Sequence, residues 1–170
     1  SGGHLRQVRA VIDSDARAMQ MGSCMTAVLD GLFTLPMLTV AAIDGPALGG
    51  GAEIATACDL RVFGPSGRLG FVHTRLGIAP GWGATGRLVQ LLGRGRALRV
   101  LLNPTSLDAA QAVELGLADA AGASLDLALD GLLGPIRSLS SQATRAVKKQ
   151  VLAAQTSDRV AETSAFVEVW

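Results

Sequence analysis

The stretch Ala47-Leu48-Gly49-Gly50-Gly51-Ala52-Glu53 stands between a short apolar run and a helix-forming segment. Three consecutive glycines weaken a helix or a strand, so they require a backbone reason. One reason is close approach of a ligand to main-chain N–H groups at a helix N-terminus, where unpaired amides and the helix dipole favour negative charge. Glu53 then lies about one turn into that helix and is able to face the same spot. The other reason is a tight strand–helix turn that binds nothing. On these residues alone the two stand level, since the run matches neither a phosphate-loop nor a dinucleotide fingerprint.

Working outward, Met37 to Ile43 is a β-leaning apolar run that suits a strand buried on both faces. Asp44-Gly45-Pro46 reads as a turn. The glycine-run helix is expected from about Gly50 to Cys58, followed by strands at Leu60–Phe63 and Arg68–Phe71 around the turn Gly64-Pro65-Ser66-Gly67. Upstream, Leu5, Val8, Ile12, Met19, Val28 and Leu32 have helical spacing, and Pro36 closes that helix. Downstream, helices are expected at 84–92, 94–102, 107–115, 124–133, 138–153 and 158–169, with Thr105 or Ser106 capping the third and Ser124 the fourth. The pattern predicts a single α/β domain over 1–170, with a sheet-containing front to about 120 and a helical rear from about 121.

Composition limits the function classes. The 170 residues are 49% apolar and 17% charged, with net charge +1, so no strong field points to nucleic acid or to an anionic membrane. Arg94, Arg96 and Arg99, and the pair Lys148–Lys149, read as solvated faces before they read as phosphate sites. Cys24 and Cys58 have no metal or redox spacing and read as buried reduced thiols, consistent with a cytoplasmic protein. No run reaches the ~18 apolar residues of a membrane span, and no signal-peptide pattern opens the chain. It opens on Ser1-Gly2-Gly3-His4 without an initiator Met; the expectation is an abrupt start or an absent N-terminal segment.

Ile43 to Phe71 (IDGPALGGGAEIATACDLRVFGPSGRLGF) and Gly77 to Leu98 (GIAPGWGATGRLVQLLGRGRAL) together resemble the enoyl-CoA hydratase/isomerase, or crotonase, family across its central signature. Leu107 to Asp119 (LDAAQAVELGLAD) resembles a further family segment, and Arg145 to Val151 (RAVKKQV) resembles a pattern in its C-terminal helices. The resemblance runs from Ser1 to at least Asp119. It implies a ββα spiral followed by C-terminal helices, with the N-terminal turns, which help form the CoA pocket, partly missing. It implies trimers or hexamers, which an exposed core face would favour. No metal or cofactor is implied; a coenzyme A thioester, or an acyl-carrier thioester, is the substrate.

The resemblance also assigns residues. The Gly50 N–H becomes one donor of an oxyanion hole, and Gly3, in a terminal loop resembling the family's Ala-Gly-X-Asp loop, becomes the second. Two such amides stabilise the charge that builds on a thioester oxygen as an enolate forms. His4 replaces that loop's acidic residue and reads as a helix-start group. Glu53 matches the family's first catalytic carboxylate. His73 stands where hydratases carry the second, and water addition wants two carboxylates sharing one water.

Phe71 to Val89 (FVHTRLGIAPGWGATGRLV) resembles the ethylmalonyl-/methylmalonyl-CoA decarboxylase-like branch of the family. Decarboxylation needs the enolate-stabilising hole, a group to hold the carboxylate and a proton for the product carbon. His73 is the candidate for either of the last two, with a surface-loop histidine as the alternative. Glu53 holds water or acts as the acid. Trp82 walls the acyl pocket or belongs to the core, and Arg75 pairs with a substrate carboxylate or with a surface partner. The expected activity is therefore decarboxylation of a methylmalonyl- or ethylmalonyl-CoA-type thioester. The alternatives are a hydratase or double-bond isomerase using Glu53, and a non-catalytic acyl-CoA-binding subunit.

Overall fold

The computed structural model describes residues 12–103 and 105–170. Gly3, His4 and the first turns of the expected N-terminal helix lie outside them. Helix α1 (Asp15–Phe33) has Ser14 as its N-cap, extended in backbone and accepting the N–H of Arg17 through its side chain, so the helix expected from Leu5 to about Leu32 is not continuous through residues 12–14. Strands β1 (Val40–Ile43) and β2 (Pro46–Leu48) follow, then α2 (Gly50–Ala57), β3 (Leu60–Phe63), β4 (Arg68–Gly70) and a 3₁₀ turn (Val72–Leu76). The rear of the chain is α3 (Ala84–Leu102), α4 (Ala109–Leu115), β5 (Ala120–Ala121), α5 (Leu125–Arg137), α6 (Ser141–Gln155) and α7 (Arg159–Val167).

The strands form two parallel sheets, ordered β1-β3-β5 and β2-β4. The pairs β1–β2 and β3–β4 each add one strand to each sheet, and β5 extends the first sheet alone, which is how a spiral of β–β–helix passes stacks. Parallel neighbours need a crossover, and α2 supplies it between β1 and β3. Apolar side chains from the strands, α2, α3 and α4 meet in one core, where Phe63, Phe71, Leu69, Leu88 and Leu117 are fully buried.

Several local expectations are corrected. Among the described residues β1 is an edge strand and Ala42 is exposed, so it is not buried on both faces. Pro46 opens β2 instead of completing a turn, a position that needs no N–H donation to the ladder. The helix expected at 107–115 starts at Ala109, and its cap is Asp108 in a reciprocal box with Gln111, not Thr105 or Ser106. Ser124 caps α5 as expected. Pro135 lies inside α5, so that helix runs past the expected end. The expected break near 93 is a kink in α3, where Gly93 has φ 74° and ψ 162°. Cys24 is exposed, not buried.

Two buried ion pairs fasten the rear to the sheets. Arg61, 2% exposed, donates to Asp119 Oδ2 at 3.0 Å and to the Leu117 carbonyl at 2.6 Å, tying β3 to the segment before β5. Lys148 is not solvated as its pairing with Lys149 suggests. It is 7% exposed and donates to Asp59 Oδ2 at 2.7 Å and to the Met37 carbonyl at 2.8 Å. Asp59 also accepts from the N–H and hydroxyl of Thr39. Lys148→Met leaves Asp59 without its counter-charge and is expected to lower stability by about 3 kcal/mol. Lys149→Met, which removes an exposed pair with Glu168, is expected to change it by less than about 0.5 kcal/mol. Urea denaturation of both variants checks the contrast.

Candidate active site

β2 ends at Leu48 and α2 begins at Gly50, so the chain must turn from strand to helix within one residue. Gly49 makes that turn at φ 55° and ψ −119°, a backbone conformation that side chains disfavour, and its N–H donates to the Gly70 carbonyl at 2.9 Å. Gly50 is needed for a different reason. A Cβ there would lie 2.3 Å from Trp82 Cζ3 and 2.5 Å from Cη2, so the indole rests directly on the Gly50 backbone. Gly50 is the first residue of α2, and its N–H has no acceptor within the helix. The glycine run thus presents a helix N-terminus roofed by an aromatic ring.

One turn into α2, Glu53 is 1% exposed. Its Oε1 accepts the Gly81 N–H at 3.3 Å and lies 3.2 Å from His73 Nε2. Its Oε2 accepts the N–H groups of Trp82 at 2.8 Å and Ala84 at 3.4 Å. Ala84 is the first residue of α3, whose N-cap Gly83 has no side chain to offer. The carboxylate therefore caps α3 from a distant helix and sits at the positive end of its dipole. Burial pushes the Glu53 carboxyl up. The hydrogen bond and charge of His73 and the amides of Trp82 and Gly81 outweigh that, leaving it below the ordinary carboxylate value.

His73 lies in the 3₁₀ turn and is 7% exposed, which excludes a surface-loop histidine. Glu53 is acceptor-only when ionised, so the imidazole presents N–H at Nε2 to it. The other nitrogen, Nδ1, is buried and has no hydrogen-bond partner among the described residues. Arg75, further along the same turn, is exposed.

Gly50, Glu53, His73 and Trp82 therefore stand together, while Gly3 lies outside the described residues. Sequence reasoning missed the amides of Gly81 and Ala84, and it missed Arg87, whose 7% exposed side chain donates to the Trp82 carbonyl. The Pro80-Gly81-Trp82-Gly83 turn itself was the available signal. A 560 Å³ apolar groove, lined by Phe33, Leu60, Leu91, Leu139 and Val151 among others, reaches Arg87 but none of the four grouped residues. Among the described residues no cluster of three or more His, Cys, Asp or Glu is arranged to hold a metal. No helix among them is long and apolar enough to cross a membrane.

The sequence profile of the enoyl-CoA hydratase/isomerase family matches residues 2–168, and the chain belongs to that family. It is 39% identical over 160 residues to an ethylmalonyl-CoA decarboxylase of Gallus gallus, covering 90% of this chain and 53% of that protein. To the ethylmalonyl-CoA decarboxylase of Xenopus tropicalis it is 43% identical over 119 residues, covering 70% of this chain and 40% of the relative. The chain thus spans about half, or less, of the length of these curated relatives. Among solved structures, an enoyl-CoA hydratase from Bacillus anthracis superposes with a TM-score of 0.81 at 30% identity, covering 92% of this chain and 63% of that one. A putative enoyl-CoA hydratase from Thermobifida fusca in complex with acetoacetyl-CoA gives 0.73 at 29% identity, covering 88% and 62%. The stacked β–β–helix passes are the crotonase fold.

Glu53→Gln keeps the shape but loses the charge that satisfies amides and imidazole, and is expected to lower stability at neutral pH by about 3 kcal/mol. Because the folded carboxyl lies below its ordinary value of 4.5, its contribution is complete above that pH and is lost as pH falls through the lower folded value. Urea titrations of parent and variant should therefore differ most at neutral pH and converge in acid.

Proposed function

We propose that this chain carries the catalytic part of an acyl-CoA decarboxylase acting on a methylmalonyl- or ethylmalonyl-type thioester. The observation that supports this reading most is His73 beside Glu53, where hydration would want a second carboxylate. The decarboxylase relatives, at 39% and 43% identity, share more sequence with this chain than the hydratase structures at 30% and 29%. The acetoacetyl-CoA complex of the Thermobifida fusca protein supports a coenzyme A thioester over a carrier-protein thioester.

In this reading the thioester oxygen lies at the Gly50 N–H, with the N–H of Gly3 as the second donor. The bond between the α-carbon and the substrate carboxylate breaks, CO2 departs, and its electron pair forms an enolate whose oxygen the two amides stabilise. Each such donor is worth about 3 kcal/mol in comparable sites. The α-carbon then takes one proton. That proton is assigned to His73 acting as the imidazolium: Nε2–H stays on Glu53, Nδ1–H passes to the α-carbon, and the neutral imidazole left behind takes a proton from water before the next turnover. Glu53, ionised and fully engaged as an acceptor, is not the acid; it sets the imidazole tautomer and holds the Trp82 turn. Trp82 keeps solvent from the Gly50 face, and Arg75, exposed on the same 3₁₀ turn as His73, is assigned to the substrate carboxylate. No cofactor takes part, and a trimer or hexamer completes the reading.

Purified protein is expected to release CO2 from methylmalonyl- or ethylmalonyl-CoA. His73→Asn is expected to lower kcat by about 100-fold or more, the usual worth of a positioned proton donor. Rapid hydration of crotonyl-CoA with malonyl thioesters untouched would sink the proposal, as would binding of these esters without turnover.

A further inference from the structure

We propose that Arg87 is a positioning residue that sets where the Trp82 indole rests over Gly50. It stands on α3, and two of its guanidinium nitrogens are committed in opposite directions. Nη2 donates to the Trp82 carbonyl, and Nη1 donates to Asp30 Oδ1 on α1 at 3.2 Å. The Trp82 N–H is held at the same time by Glu53 Oε2 at 2.8 Å. Both backbone polar groups of Trp82 are thus gripped by charged side chains of opposite sign, one from α2 and one from α3. With its N–H and its C=O fixed, the Cα–Cβ direction of Trp82 is fixed too, and the ring is carried onto Gly50.

The surroundings leave the guanidinium little freedom. A Cβ on Gly83 would lie 2.9 Å from Nη1, so the turn folds closely around it. Helix α1 braces the other side: a Cβ on Gly22 would lie 3.3 Å from the Gly81 carbonyl oxygen, and the Thr26 hydroxyl stands 3.5 Å from it. Nε is buried with no hydrogen-bond partner among the described residues. The two bonded nitrogens keep the guanidinium on the turn and on α1. An ammonium is a point charge and cannot hold both the Trp82 carbonyl and Asp30 in the planar fork that a guanidinium supplies.

The test separates positioning from folding. The chain has two tryptophans, and Trp170 is 93% exposed, so Trp170→Phe leaves Trp82 as the reporting indole. In that background Arg87→Lys is expected to move Trp82 emission to longer wavelength. The kinetic arm rests on the decarboxylase reading: kcat should fall by about 10- to 100-fold, as expected for a displaced pocket wall, with KM within about twofold. An unmoved emission maximum overturns the proposal, and so does an unmoved kcat in an active parent. If the parent decarboxylates nothing, the functional reading fails on its own and emission alone decides the role of Arg87. If Arg87→Lys does not unfold cooperatively, Asp30→Asn takes its place, since that side chain is 62% exposed. It should shift emission the same way by a smaller amount, and no shift overturns the proposal.

Discussion

A buried carboxylate at the start of a helix it does not belong to is the constraint on which the site depends. Isolating the charge of Glu53 from water would be prohibitive without compensation. Three backbone amides and an imidazole supply it, arriving from the Gly81–Ala84 segment and from the 3₁₀ turn. The compensation works in both directions. Helix α3 begins at Ala84 and its N-cap Gly83 has no side chain to offer, so the first amide of α3 is satisfied by Glu53 and not by a local side chain. Four parts of the structure consequently share one set of hydrogen bonds: the α2 helix, the His73 turn, the Trp82 turn and the start of α3.

That sharing separates the roles of the two titratable groups. A carboxylate with both oxygens occupied by donors and its ionisation favoured is a poor proton source. An imidazole held at one nitrogen keeps the other for chemistry. The division differs from the assignment of Glu53 as an acid or water holder, which spacing alone permits. The role proposed for Glu53 rests on the donors around its two oxygens.

The fold was largely legible because its decisive signals are local. Glycines at a strand–helix junction, apolar runs of strand length and helical periodicity all act over a few residues, and they located α2, β3, β4 and most of the rear helices. The misses have physical causes as well. β2 and β5 are only three and two residues long, too short for alternation to register, and the first begins with a proline that reads as a turn. Asp108 rather than Thr105 or Ser106 caps α4, because Asp108 is the residue that can exchange bonds with Gln111. Lys148 is buried by an aspartate 89 positions away, and Arg87 by one 57 positions away. Spacing within a helix carries no trace of such partners. Within the site, Gly50 and Glu53 were visible at the glycine run, and His73 and Trp82 through the family resemblance. What joins them, the Glu53 carboxylate reaching the Trp82 amide 29 positions on, was not.

Relatives named as decarboxylases and structures named as hydratases meet in one chain without contradiction, because the shared and the differing parts are physically distinct. Stacked sheets and a glycine-built helix N-terminus serve either reaction. Position 73 is not indifferent. A carboxylate there, 3.2 Å from Glu53 Oε1 as Nε2 now is, would set two like charges in a site with little water to screen them, and one would have to hold a proton. Such a pair is fitted to pass protons to and from a shared water. An imidazole in the same place removes the repulsion and lets Glu53 remain an anion. With an imidazole at position 73, Glu53 anchors the Trp82 turn through its two amides, and His73 Nδ1 is the buried nitrogen left without a partner among the described residues.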